Sequence, residues 1–319
     1  MLESLLQAVP PTLLEREARV DLLVAAERLP RVLSRWNVGL ELRLQGPPQG
    51  DLFIGALPTA EDGPILQEWL RDFPGSSAGV RLGLALSQWQ RGLGWYARCC
   101  RFLLLEVDAS RRAGDSLPPP AVFLIPRDDA FRRDPDGLVS ALAELGGCPP
   151  DAAVAAELRD LLALLPDQAQ LFTAGVMLSR PTSAAPRIAV RGLRSDELAP
   201  LLSGLGRPGA GALLAPLAVR LAPGLTDLCV AFDLGPGGSD AVGLELYAAD
   251  ASSWGSVLND LAELDLADPD RARAAAELAR AGALDDSARL NHVKLTATAG
   301  GLGPTKLYAV MRAPPPLSG

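Results

Sequence analysis

Charged and phenolic side chains recur at alternate positions in six short runs of this chain: Glu41-x-Arg43, Glu106-x-Asp108, Arg187-x-x-x-Arg191, Glu245-x-Tyr247, His292-x-Lys294 and Lys306-x-Tyr308. Residues two or four apart on a β-strand point to one face, so each run delivers its polar groups to a common side. Guanidinium and ammonium groups hold phosphate-like anions, arginine as a bidentate fork, and tyrosine adds neutral donors. Carboxylates placed among them take protons or pair with the cations. The chemistry on offer is anion binding with proton transfer close by.

The single histidine, His292, removes several alternatives. An HExxH site or any site with several histidine ligands is excluded. A Ser-His-Asp or Cys-His arrangement would have to run through His292; its weakest surviving form pairs His292 with Cys229 in a pentein-like ring of repeats. Walker A and DDxxD runs are absent. Gly204, Gly206 and Gly209 fit GxGxxG, but the segment before them, SDELAPLLSG, reads as a helix where a dinucleotide fold needs a strand, so the glycines read as a loop between helices. Cys99, Cys100, Cys148 and Cys229 form no CxxC and read as buried free thiols. A net charge of -8 argues against nucleic acid, whose binders carry a basic excess. No apolar run approaches the ~20 residues that span a bilayer. The amino-terminal stretch MLESLLQAVPPTLLEREARV has acids where a secretory signal has bases, so a cytoplasmic protein without a membrane partner is expected.

The elements that must position the polar groups are hairpins. VGLELRL at 38–44 and DLFIGAL at 51–57 flank QGPPQG, and RFLLLEVD at 101–108 and AVFLIPR at 121–127 flank a long loop ending in Pro118, Pro119 and Pro120. LFTAGVMLSR pairs with RIAVRGL across PTSAAP, DLCVAFDLG with AVGLELY across GPGGSD, and HVKLTATA with TKLYAVM through GGLGP. Between successive pairs there is room for two helices: 60–73 and 80–97, 134–146 and 150–165, then SDELAPLLSGLG with ALLAPLAVRLA, and SSWGSVLNDLAELDLA with DPDRARAAAELARA. Several of these open on a Ser or Asp suited to an N-cap. The segment LESLLQAVPPTLLEREARVDLLVAAERLP supplies the first helical unit.

The chain thus reads as repeated helix-helix-strand-strand units. The economical fold is α+β: a single closed antiparallel β-barrel of about ten strands surrounded by helices, which leaves no strand edge unpaired. One domain over 1–312 is expected, with 313–319 as a disordered tail. A barrel that wide leaves a lumen for a ligand. Its outer face must be apolar, which sends Leu40, Leu42, Leu103, Leu105, Ile188, Val190, Leu244, Leu246, Val293 and Leu295 outward. The polar runs then line the inside.

On those runs and that architecture the chain resembles the ABBA-type prenyltransferases, whose barrel is built from repeated helix-strand-strand-helix units. The resemblance implies transfer of an isoprenoid group from its diphosphate to an aromatic or peptide acceptor inside the lumen, with or without Mg²⁺. Arg43, Arg187, Arg191, Lys294, Lys306, Tyr247 and Tyr308 would hold the diphosphate, whose departing charge such donors stabilise in the transition state. Glu41 on the early strand would orient or deprotonate the acceptor, with Glu106 and Glu245 competing for that role. Phe53, Phe102 and Phe123 would shield the allyl cation from water. The chain departs from the family in its aromatic content of 5%, with Tyr at 3 and Trp at 5. That scarcity favours a second reading, a non-catalytic barrel that binds a peptide or small metabolite. Each residue also has a plainer reading: Arg187 and Arg191 as solvated residues of an open sheet, Glu41 beside Arg43 as a surface charge pair, and His292 as a hydrogen-bonded structural imidazole.

Overall fold

Runs that alternate apolar and polar residues can bury one face only, and they form strands. In the computed structural model, which describes residues 2–29, 37–56, 62–71, 77–108, 119–178, 185–236, 238–285 and 289–311, these strands are β1 (Asn37–Arg43), β2 (Gly50–Ala56), β3 (Cys100–Val107), β4 (Ala121–Pro126), β5 (Gln170–Met177), β6 (Arg187–Arg191), β7 (Leu225–Asp233), β8 (Val242–Ala248), β9 (Arg289–Thr298), β10 (Gly301–Leu302) and β11 (Lys306–Met311). They order as β10-β9-β11-β1-β2-β3-β4-β5-β6-β7-β8, every neighbouring pair antiparallel, and β8 pairs again with β9 to close the ring. The two-residue β10 only extends the β9 hairpin, so ten strands form a closed antiparallel barrel with helices outside it. The expected tail at 313–319 and the proline-rich stretch before Pro119 lie outside the described residues.

The ten outward apolar residues are all buried, and they share one core with the helices. Leu86 of the helix Ser77–Gln90, Leu142 of Pro135–Gly146, Leu158 of Ala152–Leu164, Leu214 of Pro208–Leu221 and Leu261 of Ala251–Glu263 belong to that same cluster. The inward apolar residues form separate small clusters, such as Phe53 with Tyr308 and Val310. Two apolar layers on opposite faces of one sheet are the signature of a lined lumen.

Helix limits follow local chemistry. The expected helix over 80–97 is instead two, Ser77–Gln90 and Gly94–Cys99, because Gly92 and Gly94 adopt φ of 68° and 75°, which breaks the helical path between them. Asp134 and Asp151 cap their helices by accepting from the backbone N–H of Gly137 and Ala153. The cap expected at the Ser252 end is Asp250, which accepts from Ser253 N–H at 2.8 Å. The helix expected to open at Ser195 starts later, at Leu198, with no side-chain cap. Gly204 ends that helix and Gly206 takes φ of 71°, a connection between helices as the spacing predicts. Cys99, Cys100 and Cys229 are buried free thiols, whereas Cys148 is half-buried. Among the described residues, no helix is long and apolar enough to cross a membrane.

Candidate functional site

Inside the barrel lies a cavity of about 500 Å³, walled by inward residues of the strands. Its cationic part holds Arg187, Arg191 and Lys294, with Arg101 at the helical end. Its carboxyls are Glu106 and Glu245, and Tyr247, Tyr308, His292, Phe53, Phe102, Phe123 and Phe172 supply rings. Phe53, Tyr308, His292 and Tyr247 form a continuous row along one wall: ring centroids are 5.7 Å apart for Phe53 and Tyr308, 4.0 Å for the stacked Tyr308 and His292, and 5.1 Å for His292 and Tyr247. A low aromatic content is therefore concentrated at the site.

Two glycines make that wall. A Cβ on Gly39 would stand 2.0 Å from Cζ of Phe53, and one on Gly243 would stand 2.6 Å from Cε of Lys294. Each clears the space in which the neighbouring strand's side chain lies across it. Gly39→Ala should push the Phe53 ring out of the row and lower stability by about 1–3 kcal/mol, as overpacking does; a urea unfolding midpoint equal to wild type would refute this.

Register shifts add residues that strict alternation hides. They fall between Cys100 and Phe102 on β3, Leu171 and Thr173 on β5, Leu225 and Asp227 on β7, and opposite Tyr308 and Ala309, where β9 carries one residue more. A bulge places two successive residues against one partner and re-aims a side chain. Here the extra residues are Arg101, Phe172, Thr226 and Asn291. Arg101, Phe172 and Asn291 line the main cavity beside Phe102, Thr173 and His292, and Thr226 lines a side pocket of about 160 Å³ with Phe172, Arg191, Asp227 and Tyr247.

The lumen cations are held by carboxylates. Lys306 Nζ lies 2.5 Å from Glu41 Oε1, Lys294 Nζ 3.2 Å from Glu245 Oε1, Arg187 Nε 2.8 Å from Asp233 Oδ1 and Arg191 Nε 3.2 Å from Asp227 Oδ2. Lys294 and Lys306 face each other in register, as do Lys306 and Arg43, an arrangement that repels without counter-charges. Tyr308 donates a short hydrogen bond to Glu41, and Tyr247 donates to Glu245 Oε2 at 2.9 Å.

These contacts set the proton inventory. Burial pushes Glu41 up, but Lys306 and the Tyr308 hydroxyl outweigh it and hold the carboxyl below its ordinary range. Burial likewise opposes ionisation of Glu245, yet His292, Lys294 and Tyr247 bring it down to about 2. Glu106 has no salt-bridge partner among the described residues; burial and the charge on Glu41 raise it to about 7 against the pull of Lys294 and other cations. Burial lowers His292 to about 4, with Lys294 adding to the effect and Glu245 opposing it. Burial also drives Tyr308, Tyr247 and the Cys229 thiol upward, each reinforced by the nearest glutamate. A thiolate on Cys229 beside a basic imidazole is thus disfavoured on both counts, against the pentein-like pairing.

Of the residues singled out from sequence, Glu106, Glu245, Arg187, Arg191, His292, Lys294, Tyr247, Tyr308, Phe53, Phe102 and Phe123 line the cavity. Glu41, Arg43 and Lys306 are not in that lining; Glu41 pairs with Lys306 and accepts from the Tyr308 hydroxyl. Glu41 pairs with Lys306 rather than with Arg43. The reading of an open, solvated sheet fails for Arg187, whose side chain is 15% exposed, while Arg191, at 46%, stands at the rim. Among the described residues no group of three or more His, Cys, Asp or Glu side chains could hold a metal ion.

No protein-family model and no curated protein matches the chain. Solved structures do. The chain superposes on 5-dimethylallyltryptophan synthase from Streptomyces coelicolor with a TM-score of 0.55 at 15% identity, over 97% of this chain and 95% of that one. It superposes on AnaPT from Neosartorya fischeri with a TM-score of 0.52 at 14% identity, over 88% and 78% of the two chains. The fold is that of the ABBA prenyltransferases. Prenyltransferase PriB shares this ABBA barrel as well, with a TM-score of 0.52 at 17% identity over 94% and 91%, and its complex with product diphosphate gives 0.51. At these identities the likeness carries the barrel, and the chemistry must come from the lumen's own residues.

Proposed function

We propose that this protein transfers a prenyl group from an allylic diphosphate to an aromatic acceptor inside the barrel. The observation that carries the reading is one barrel cavity lined by Arg187, Arg191 and Lys294 together with a row of π faces. It is supported by the shared fold with enzymes named for prenyl transfer, one of them crystallised with diphosphate.

The C–O bond of the allylic diphosphate breaks with its electron pair going to the departing oxygen. Lys294 offers three donors and each arginine five, of which the carboxylate contacts above use one apiece, so the cations retain capacity for that charge. The allyl cation left behind is attracted to the ring faces of Phe53, Tyr308 and Tyr247 and kept from water by the barrel wall. The acceptor's ring carbon forms the new bond and then releases its proton. Glu106, raised to about 7 and facing the same cavity, is suited to take it at neutral pH. Glu41 acts one layer away, holding Lys306 and Tyr308 in place.

Calorimetric titration with dimethylallyl diphosphate, geranyl diphosphate and plain pyrophosphate tests the reading, followed by mass analysis of aromatic acceptors incubated with each prenyl donor. Saturable binding that weakens at least tenfold in Arg191→Ala is expected, with and without Mg²⁺ compared in parallel. A protein that binds none of the three is not a prenyltransferase.

A further inference from the structure

His292 is 8% exposed, and its two ring nitrogens have different fates. Nδ1 lies 2.9 Å from Nδ2 of Asn291, which the β9 bulge turns into the lumen beside it. An amide nitrogen donates, so Nδ1 accepts and the ring proton resides on Nε2. That Nε2–H is buried and has no hydrogen-bond partner among the described residues, although the ring lines the cavity. The nearest carboxylate oxygen, Oε2 of Glu245, is 4.0 Å away, too far for a direct hydrogen bond. Buried donors in native proteins are rarely left so, and His292 belongs to the lining of the cavity, where a ligand atom can satisfy the donor.

We propose that His292 and Glu245 together seat a hydroxyl group of the acceptor. The oxygen accepts from His292 Nε2–H, and its proton is donated to Glu245 Oε2. Distance selects this group. An oxygen about 2.8 Å from both atoms subtends an angle of about 90° at their 4.0 Å separation, close to the natural angle at a hydroxyl. An indole N–H can donate to Glu245 but cannot accept from His292, so it satisfies half of the pair. The ionised Glu245 is fixed in its acceptor role by Lys294 Nζ at 3.2 Å and by the Tyr247 hydroxyl at 2.9 Å, and His292 is fixed in its plane by the stacked Tyr308 ring. A phenol lying along this wall would place its ring in reach of the Phe53–Tyr308–His292–Tyr247 row. The inference rests on the proposed function only in calling the ligand an acceptor; the hydroxyl seat itself stands on the geometry.

The lone histidine makes the test clean, because protein labelled with ¹⁵N-histidine gives one imidazole spectrum. Wild-type protein is titrated with 2-naphthol and with 2-methoxynaphthalene, which has the same ring but no hydroxyl proton. The Nε2–H tautomer is expected before any addition, with a saturable shift of that resonance on 2-naphthol. A site built around a hydroxyl rejects the analogue lacking it, so at least tenfold weaker binding of the methyl ether is expected. His292→Phe, which keeps the stack, should bring the two affinities together. Equal affinities in wild type, binding of neither compound, or bound naphthol with Nε2–H unmoved, meaning a water alone faces it, would each overturn the proposal. Turnover of 2-naphthol with dimethylallyl diphosphate is read separately: selective binding without product supports the hydroxyl seat and counts against prenyl transfer, whereas product from hydroxyl-free acceptors at equal affinity does the reverse.

Discussion

Lys294→Ala is expected to abolish measurable diphosphate binding, to lower turnover by about 10²–10³, and to destabilise the fold by about 3–5 kcal/mol. Both effects trace to one ammonium. Lys294 lies between Glu245, which it neutralises at 3.2 Å, and the cavity it lines, and both partners of the pair are largely buried, at 15% and 12% exposure. Removing the cation strands a carboxylate that the barrel otherwise keeps ionised, and an uncompensated buried charge is what makes breaking such pairs costly. Relief of the like charge on Lys306 opposite offsets little, because Glu41 already neutralises Lys306. The double variant Lys294→Met with Glu245→Gln separates the two losses. It removes both charges at similar volume and leaves an amide oxygen to accept from Tyr247, so urea unfolding should place it within about 1 kcal/mol of wild type. Diphosphate binding should stay lost. If the double variant titrates dimethylallyl diphosphate as wild type does, the cationic seat has been put on the wrong residue.

The alternation that gives Leu40, Leu42, Leu244 and Leu246 to one face and Glu41, Arg43, Glu245 and Tyr247 to the other was legible because a half-buried strand has a period of two. It located the barrel and eleven lumen residues. What it could not locate are the residues at which the period breaks. Each bulge leaves outward apolar residues three apart instead of two: Cys100 and Leu103, Leu171 and Ala174, Leu225 and Leu228, Leu290 and Val293. Between each pair stand two residues, and both reach the lumen or its rim. The run Leu290-Asn291-His292-Val293 carries this signal openly, with two polar residues where alternation allows one. Pairing was also illegible. Asp233 and Asp227, which hold Arg187 and Arg191, sit on β7 in a run that shows little beyond apolar residues, and only the register of β6 against β7 brings Asp233 opposite Arg187 and sets Asp227 two residues beyond Cys229, the residue opposite Arg191.

That pairing changes how the lumen should be viewed. On the proposed function, a diphosphate would not enter an unopposed cationic hole; it would exchange for, or join, carboxylates already in contact with the same nitrogens. Such a site would draw its selectivity from the geometry of the remaining donors more than from net charge, beside Glu106, the lining carboxyl with no ion-pair partner among the described residues.

Glu106 and His292 also make opposed contributions to stability, and their cancellation is a measurable property of the protein. Glu106 titrates at about 7 in the folded barrel against an ordinary value of 4.5. Between those values the native state holds a proton that the unfolded chain has released, so this group's contribution is full below pH 4.5 and is lost as pH rises through 7. His292 titrates at about 4 against an ordinary 6.5. As pH falls from 6.5 the unfolded chain takes up a proton that the native imidazole refuses, so its contribution runs the other way, present above 6.5 and lost toward 4. Over the shared window from pH 4.5 to 6.5 the two slopes, each about 1.4 kcal/mol per pH unit, oppose one another, and the wild-type protein should be nearly flat there on their account. Glu245 and Glu41 do not disturb the window, since their lowered values move the loss they cause to pH below 4.5. Glu106→Gln removes one arm and should expose a climb of roughly 3 kcal/mol from pH 4 to 6.5. His292→Phe removes the other and should expose a fall of similar size from pH 4.5 to 7. Urea unfolding of the three proteins at half-unit pH steps reads all of this directly. Variants that stay as flat as wild type would mean that neither group is buried in the lumen as described, because a solvated carboxyl and a solvated imidazole titrate alike in the folded and unfolded chain.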